Sequence, residues 1–261
     1  MTQVATATDG VRLAYEVVGD GAETIVLVHG FGSSRRQNWK DPSWYDTLTM
    51  AGYRVIAMDC RGHGESDKPH TTPGYGHDEM ANDVIAVMDD AGIESAFVMG
   101  YSMGGYIAVH LAAQRPERVR KLIVAGVGEN YLDPPESLRD PVLDPKVRRQ
   151  IVDALTAADP STIANATARG FRAFADQPGK DRHALAACMS AATPNLSREA
   201  LGRISVPALV VCGEKDAFTG RPDPLAAAFA DSRAVTVPNR DHMNAVGDKI
   251  YKRAVLDFLV S

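Results

Sequence analysis

Ser102 stands in the run Gly100-Tyr101-Ser102-Met103-Gly104, between the apolar segment Ser95-Ala96-Phe97-Val98-Met99 and an amphipathic stretch that begins at Met103. Strand, Gly-x-Ser-x-Gly, helix is the setting in which a serine is presented as a nucleophile. The tight turn strains the serine backbone and lifts the hydroxyl clear of the sheet, while flanking glycines let strand and helix approach closely. A serine hydroxyl is a weak nucleophile at neutral pH, so it needs a base within hydrogen-bond reach, and the base needs a third group to fix its tautomer.

Seven histidines compete for the role of base. His242 is the expected one: its loop, Pro238 to Met243, follows the last strand and precedes the last helix, and opens at the carboxyl edge where parallel sheets place their sites. His29 is expected to hydrogen-bond the backbone of its own loop, His63 (between Gly62 and Gly64) to shape a turn, and His110 to pack within a helix. His70, His77 and His183 fall in a polar loop, at a helix start and in an inserted segment. The expected acid is Asp216, in Cys212-Gly213-Glu214-Lys215-Asp216 after a later strand, with Glu129 and then Glu214 as alternatives. Serine, aspartate, histidine is also the chain order that accompanies this serine turn. Acyl transfer further requires N–H donors for an oxyanion. The Met103 amide, opening the helix, supplies one; the loop Val28-His29-Gly30-Phe31-Gly32-Ser33-Ser34 supplies the other through the Phe31 amide.

The elements that must position these groups follow from hydrophobic periodicity. Val11 to Val18 and Thr24 to Val28, separated by Gly19-Asp20-Gly21, read as an antiparallel hairpin. Beyond them strands and helices alternate: a helix from Trp44 to Ala51, a strand from Tyr53 to Met58, a helix from His77 to Ala91, the strand before Gly100, a helix from Met103 to Gln114 and a strand from Val119 to Ala125. Such alternation implies a parallel sheet with right-handed crossovers, and its near-continuous apolar strands imply cover on both faces. Between about Glu129 and Ser205 the alternation pauses. That stretch carries Pro134, Pro135, Pro141, Pro145, Pro160, Pro178 and Pro194, and its apolar residues keep helical spacing: Val147, Ile151 and Leu155 on one face, Ile163, Ala166, Phe171 and Phe174 on another. It reads as a helical insertion, residues 129–204, in a core formed by residues 1–128 and 205–261. The strand Ala208 to Cys212, a helix near Pro224 to Ala230, the strand Ala234 to Val237 and a helix from Asn244 to Leu259 complete the order.

Composition bounds the function. The 261 residues suffice for one sizeable α/β domain, and 45% hydrophobic with 23% charged residues is ordinary for a globular protein. A formal charge of −5 and a pI near 5.8 give no reason to expect nucleic acid or an anionic membrane as partner. Cys60, Cys188 and Cys212 stand far apart, unlike a disulfide framework or zinc site. Met1 to Gly10 lacks the basic start and apolar core of a signal peptide, and no apolar run approaches the ~20 residues needed to cross a bilayer. Gly62 and Gly64 are not followed by the Lys-Ser or Lys-Thr of a phosphate loop. The expectation is a cytoplasmic enzyme acting on a small molecule without metal or cofactor; oligomeric state is left open.

With these residues in view the chain resembles the α/β-hydrolase superfamily. The likeness is carried by His29-Gly30-Phe31-Gly32, the run Asp59 to Asp67, the turn Gly100 to Gly105, Gly213-Glu214-Lys215-Asp216 and Asp241-His242, in the family's order and over nearly the whole chain outside the insertion. It implies a mostly parallel eight-stranded sheet with helices on both faces and a helical cap over the site. It also implies a triad of Ser102, Asp216 and His242, with the Phe31 and Met103 amides as oxyanion hole. Serine at the turn argues against the aspartate-nucleophile dehalogenases and epoxide hydrolases of the fold. No proline stands at Phe31 or Gly32, as it often does in metal-free perhydrolases, and Gly30-Phe31-Gly32 resembles the Gly-Ser-Gly loop of carbon–carbon bond hydrolases only loosely. What the resemblance leaves is a serine carboxylesterase of small or medium esters, with lactonase or thioesterase as alternatives on the same triad and a non-catalytic binding protein behind them. Trp39, Phe171, Phe174, Leu185 and Met189 are candidates to line the acyl pocket; Asp59 to Asp67 is expected to shape a turn.

Overall fold

The parallel core of the sheet is laid down by β3 (Glu23–Val28), β4 (Tyr53–Met58), β5 (Ala96–Tyr101), β6 (Val119–Ala125), β7 (Ala208–Gly213) and β8 (Ser232–Val237). A computed structural model describes residues 1–132, 144–191 and 194–261, so Pro134, Pro135 and Pro141 lie outside the described residues. Two further strands, β1 (Thr2–Thr6) and β2 (Arg12–Val18), complete an eight-stranded sheet of order β1-β2-β4-β3-β5-β6-β7-β8. Only the β1–β2 and β2–β4 pairs are antiparallel; β3 through β8 pair in parallel.

This corrects the expected hairpin. β2 and β3 are consecutive but not neighbours, because β4 inserts between them and takes β2 on one edge and β3 on the other. The hairpin partner of β2 is β1, paired from Thr2↔Glu16 to Thr6↔Arg12. The two-residue periodicity that marks a strand does not say which edge it joins.

Alternating side chains send each central strand to two cores. Val26 and Val28 of β3 and Val98 of β5 join one apolar cluster; Ile25, Leu27, Phe97 and Met99 join the other. The first is closed by α2 (His77–Asp90) through Met80, Val84, Val87 and Met88, and by α3 (Met103–Gln114) through Ile107 and Leu111. The second is closed by α1 (Trp44–Met50) and α9 (Lys249–Leu259), where Trp44, Leu48, Tyr251, Val255 and Phe258 pack. Both faces are covered, as near-continuous apolar strands require. The last helix begins later than expected, at Lys249 rather than Asn244: the residues before it form turns, and the Asp248 carboxylate caps the helix by accepting from the Ile250 amide at 2.7 Å.

Between β6 and β7 lie α4 (Pro145–Thr156), α5 (Ala166–Ala175) and α6 (Arg182–Ser190), followed by the short α7 (Arg198–Gly202). Ile151, Leu155, Ala168, Leu185 and Met189 form a separate apolar cluster there. Phe31 touches both this cluster and the main one, and so bridges the inserted helices and the sheet. Between β7 and β8 runs the short α8 (Pro222–Ala226). Among the described residues no helix is long and apolar enough to cross a membrane.

Candidate active site

Ser102 follows directly from β5 and adopts φ 54°, ψ −121°, a positive φ that a non-glycine residue seldom holds. The turn is held by the Ser102 amide donating to Ala125 O at 2.8 Å and by the Gly105 amide donating to Ser102 O at 2.7 Å. Its tightness requires the flanking glycines: a Cβ on Gly100 would lie 2.0 Å from Gly104 O, and one on Gly104 would lie 2.1 Å from Val28 O.

His242 reaches the serine from the loop between β8 and α9. Its Nε2 is 3.0 Å from Ser102 Oγ, and its Nδ1 is 2.7 Å from Asp216 Oδ2. With Nδ1–H donating to the carboxylate, the Nε2 lone pair is left to accept from the serine hydroxyl. The Asp216 side chain is wholly buried and that of His242 is 16% exposed; Asp216 Oδ1 accepts in addition from the Phe218 amide at 3.0 Å. The loop bearing His242 is pinned from several sides. The Tyr101 hydroxyl donates to His242 O at 2.6 Å, the Lys215 amide donates to Arg240 O at 2.8 Å, and the Asp241 carboxylate accepts from the Met243 and Asn244 amides. Phe218 and Tyr101 rings flank the imidazole, each with its centroid 5.5 Å away.

The two alternative acids face elsewhere. Glu129 accepts from the Arg221 amide and pairs with its guanidinium, and Glu214 accepts from the Asn239 amide at 2.7 Å. The other histidines are likewise engaged. His110 pairs with Asp78, His70 with Asp181, and His77 packs against the Tyr106 and His110 rings. His183 lies beside the His70 ring. His63 Nδ1 is bonded to Arg61 O.

The loop after β3 brings the Phe31 amide to the same edge. A Cβ on Gly30 would sit 3.3 Å from both Ser102 Cβ and Tyr101 O, so this backbone lies directly against the serine turn. His29 sets its orientation. The Cys60 amide donates to His29 Nε2 at 3.0 Å, which leaves the proton on Nδ1 to donate to Gly30 O at 2.7 Å. Burial lowers the His29 pKa to about 4, which keeps that neutral tautomer. Since C=O and N–H of one trans peptide point in opposite directions, anchoring Gly30 O turns the Phe31 N–H away from His29. Asn38 Oδ1 accepts from the Gly30 amide at 3.1 Å on the preceding peptide. Among the described residues neither the Phe31 nor the Met103 amide donates to a protein acceptor.

The turn from Asp59 to Asp67 is structural. Asp59 accepts from the Arg35 and Glu65 amides and pairs with the Arg35 guanidinium. The Ser66 hydroxyl donates to Asp59 O and accepts from the Ala14 amide. Of the pocket candidates, Trp39 is placed differently from the expectation: it is fully buried against Trp44 in the core on the far side of the sheet. Leu185 and Met189 are buried within the inserted cluster. Phe171 and Phe174 do reach the Phe31 loop, Phe171 with its ring 5.9 Å from that of Phe31 and Phe174 beside Gly32. Asn38, Tyr101 and Phe218, which touch the Gly30 amide, the His242 loop and Asp216, are not marked by the sequence. Only the position of Tyr101 inside the serine turn offered any signal.

Residues 23–246 match the family model described as alpha/beta hydrolase fold. The chain is 42% identical over 121 residues to the dihydrolipoyllysine-residue acetyltransferase component of the acetoin cleaving system of Cupriavidus necator, a match covering 46% of this chain and 31% of that protein. For the first curated relatives the matched share of their own length is between 31% and 41%. Among solved structures it is similar to the enol-lactonase of Burkholderia xenovorans LB400, with TM-score 0.74, 26% identity, and 99% and 100% of the two chains covered. It is also similar to a thermophilic esterase of Thermogutta terrifontis, with TM-score 0.77, 25% identity, and 100% and 98% covered.

Proposed function

The chain belongs to the α/β hydrolase fold family, and from that premise we propose that it is a serine carboxylesterase of small or medium carboxylic esters, working through an acyl-enzyme. The observation that carries this reading is the unbroken line of hydrogen bonds from Ser102 through His242 to Asp216. In acylation Ser102 Oγ forms a bond to the ester carbonyl carbon while its proton passes to His242 Nε2. The carbonyl oxygen becomes an oxyanion held by the Phe31 and Met103 amides. As the carbon–oxygen bond to the alcohol breaks, the Nε2 proton goes to the leaving oxygen. Water then gives a proton to Nε2 and attacks the acyl carbon, and the proton returns to Ser102 Oγ as the acid leaves. Asp216 keeps the imidazole in the tautomer both steps need and stabilises the transient imidazolium. Residues 129–204 serve as the helical cap that bounds the acyl site, a reading supported by the contact of Phe31 with Phe171.

A lactone undergoes the same steps, and the full-length likeness to an enol-lactonase favours it as the second substrate class. Converting Ser102 to Ala is expected to abolish both p-nitrophenyl butyrate hydrolysis and labelling by a fluorophosphonate. Turnover that survives this change would sink the mechanism, and tight ligand binding without labelling of the wild type would point to a binding protein.

A further inference from the structure

Lys180, in the loop between α5 and α6, is a cation without a carboxylate partner among the described residues, although acids flank it. Asp176 is taken by Arg172 and Arg182, and Asp181 by His70 and the amides that open α6. The Lys180 ammonium donates to Gln177 Oε1 at 3.0 Å and lies 3.1 Å from the centre of the Phe174 ring. That same ring abuts Gly32: its Cε1 would be 2.6 Å from a Cβ built there. The Phe174 ring therefore touches both the lysine head and the Gly32 turn of the loop that carries the Phe31 amide, and the charge of Lys180 bears on both His29 and His63.

A half-buried ammonium held this way has given up part of its hydration, and one amide oxygen and a ring face return only a share of it. Burial accordingly lowers its pKa to about 8, which leaves it a cation at neutral pH. Its acidic neighbours Asp176 and Asp181 are paired with other groups, the Phe174 ring against it is apolar, and His29 and His63, which its charge reaches, are held neutral by burial.

We propose that Lys180 is an anion subsite, selecting esters or lactones whose acyl portion carries a second, distal carboxylate. This deepens the esterase reading and rests on it for the hydrolytic step, but the binding it predicts can be read without turnover.

Two measurements test it separately from that reading. The first is binding of adipate, a probe of the acyl product, to the Ser102→Ala protein by titration calorimetry. The expectation is that Lys180→Met weakens binding by about tenfold or more while Lys180→Arg keeps most of it. Absent binding, or equal affinity with and without the lysine, overturns the subsite whatever the enzyme hydrolyses. The second is the ratio of kcat/KM for monomethyl adipate to that for methyl hexanoate, which share a chain length and differ in the terminal charge. The ratio should exceed one in the wild type and fall by about tenfold in Lys180→Met. An equal slowing of both esters would mean that the lysine only steadies the inserted helices, and would overturn the proposal. Hydrolysis of neither ester, together with lysine-dependent adipate binding, would overturn the esterase reading and leave the subsite standing.

Discussion

Asp216 divides one carboxylate between two donors, the His242 ring at 2.7 Å and the Phe218 amide at 3.0 Å. An asparagine amide cannot accept from both, because one of its two heads is a donor. Asp216→Asn is therefore expected to lower kcat by about a thousandfold or more with the fold retained, measured by steady-state ester hydrolysis beside circular dichroism. Glu129→Gln should stay within about twofold of wild type, since that carboxylate faces Arg221 and the effect is that of an ordinary surface change. A large loss at Glu129 with a small one at Asp216 would reverse the assignment of the acid. His29 makes a different prediction. Removing its hold on Gly30 O should lower kcat in His29→Gln by about tenfold to a hundredfold with KM little changed, as loss of oxyanion stabilisation does. A boronic acid inhibitor should weaken in parallel; a loss of thermal stability with kcat intact would make His29 merely structural. The meeting of Ser102, Asp216 and His242 was legible because each follows a strand end that chain order assigns to one edge. Asn38 and Lys180 were not, because what matters about them is which backbone or ring they meet, and no spacing rule encodes that.

The serine turn is an element-scale device, in which the ends of β3 and β5 and the start of α3 pack closer than a side chain allows. The Gly104 backbone lies against Val28, and a methyl group there would come within 2.1 Å of a carbonyl oxygen. Gly104→Ala should cost upwards of about 4 kcal/mol and yield little soluble protein, because the obstacle is backbone and cannot rotate away. Chemical denaturation, or the soluble fraction on expression, would test this. At α9, Asp248→Ala should cost about 1–2 kcal/mol, read from the same denaturation curves, since it removes both the capping bond to the Ile250 amide and the pair with Arg240. The boundaries of α3 and β6 could be read closely because a strand-to-helix pattern switch marks each. The expected β2–β3 hairpin does not form because strand propensity and a Gly-Asp-Gly turn describe local geometry, whereas β4, more than thirty residues on by sequence, supplies the edge that β2 joins.

For the molecule as a whole, burial makes stability depend on pH. His29, His63 and His77 are held at pKa values of about 4, 3 and 3, each lowered chiefly by desolvation from 6.5. A folded-state pKa below the unfolded one means that the unfolded chain binds the extra protons. Their contribution is thus fully present above pH 6.5 and is lost as pH falls toward 4 and below. Each group can contribute a slope of up to about 1.4 kcal/mol per pH unit in that window. His63→Gln should flatten the fall of Tm between pH 6.5 and 4 relative to wild type, and an unchanged slope would show that His63 is already charged in the folded protein. By itself the sequence determined the α/β class, the strand that carries the nucleophile, and the residue types at three strand ends, because hydrophobic period and turn chemistry are local. Tertiary structure alone decided the edge order of the first strands, the far-side burial of Trp39, the peptide orientation held by His29, and the meeting of Lys180 with the Phe174 ring. Those outcomes depend on which distant segments pack together, and packing is settled by the three-dimensional exclusion of one side chain by another rather than by any residue's neighbours along the chain.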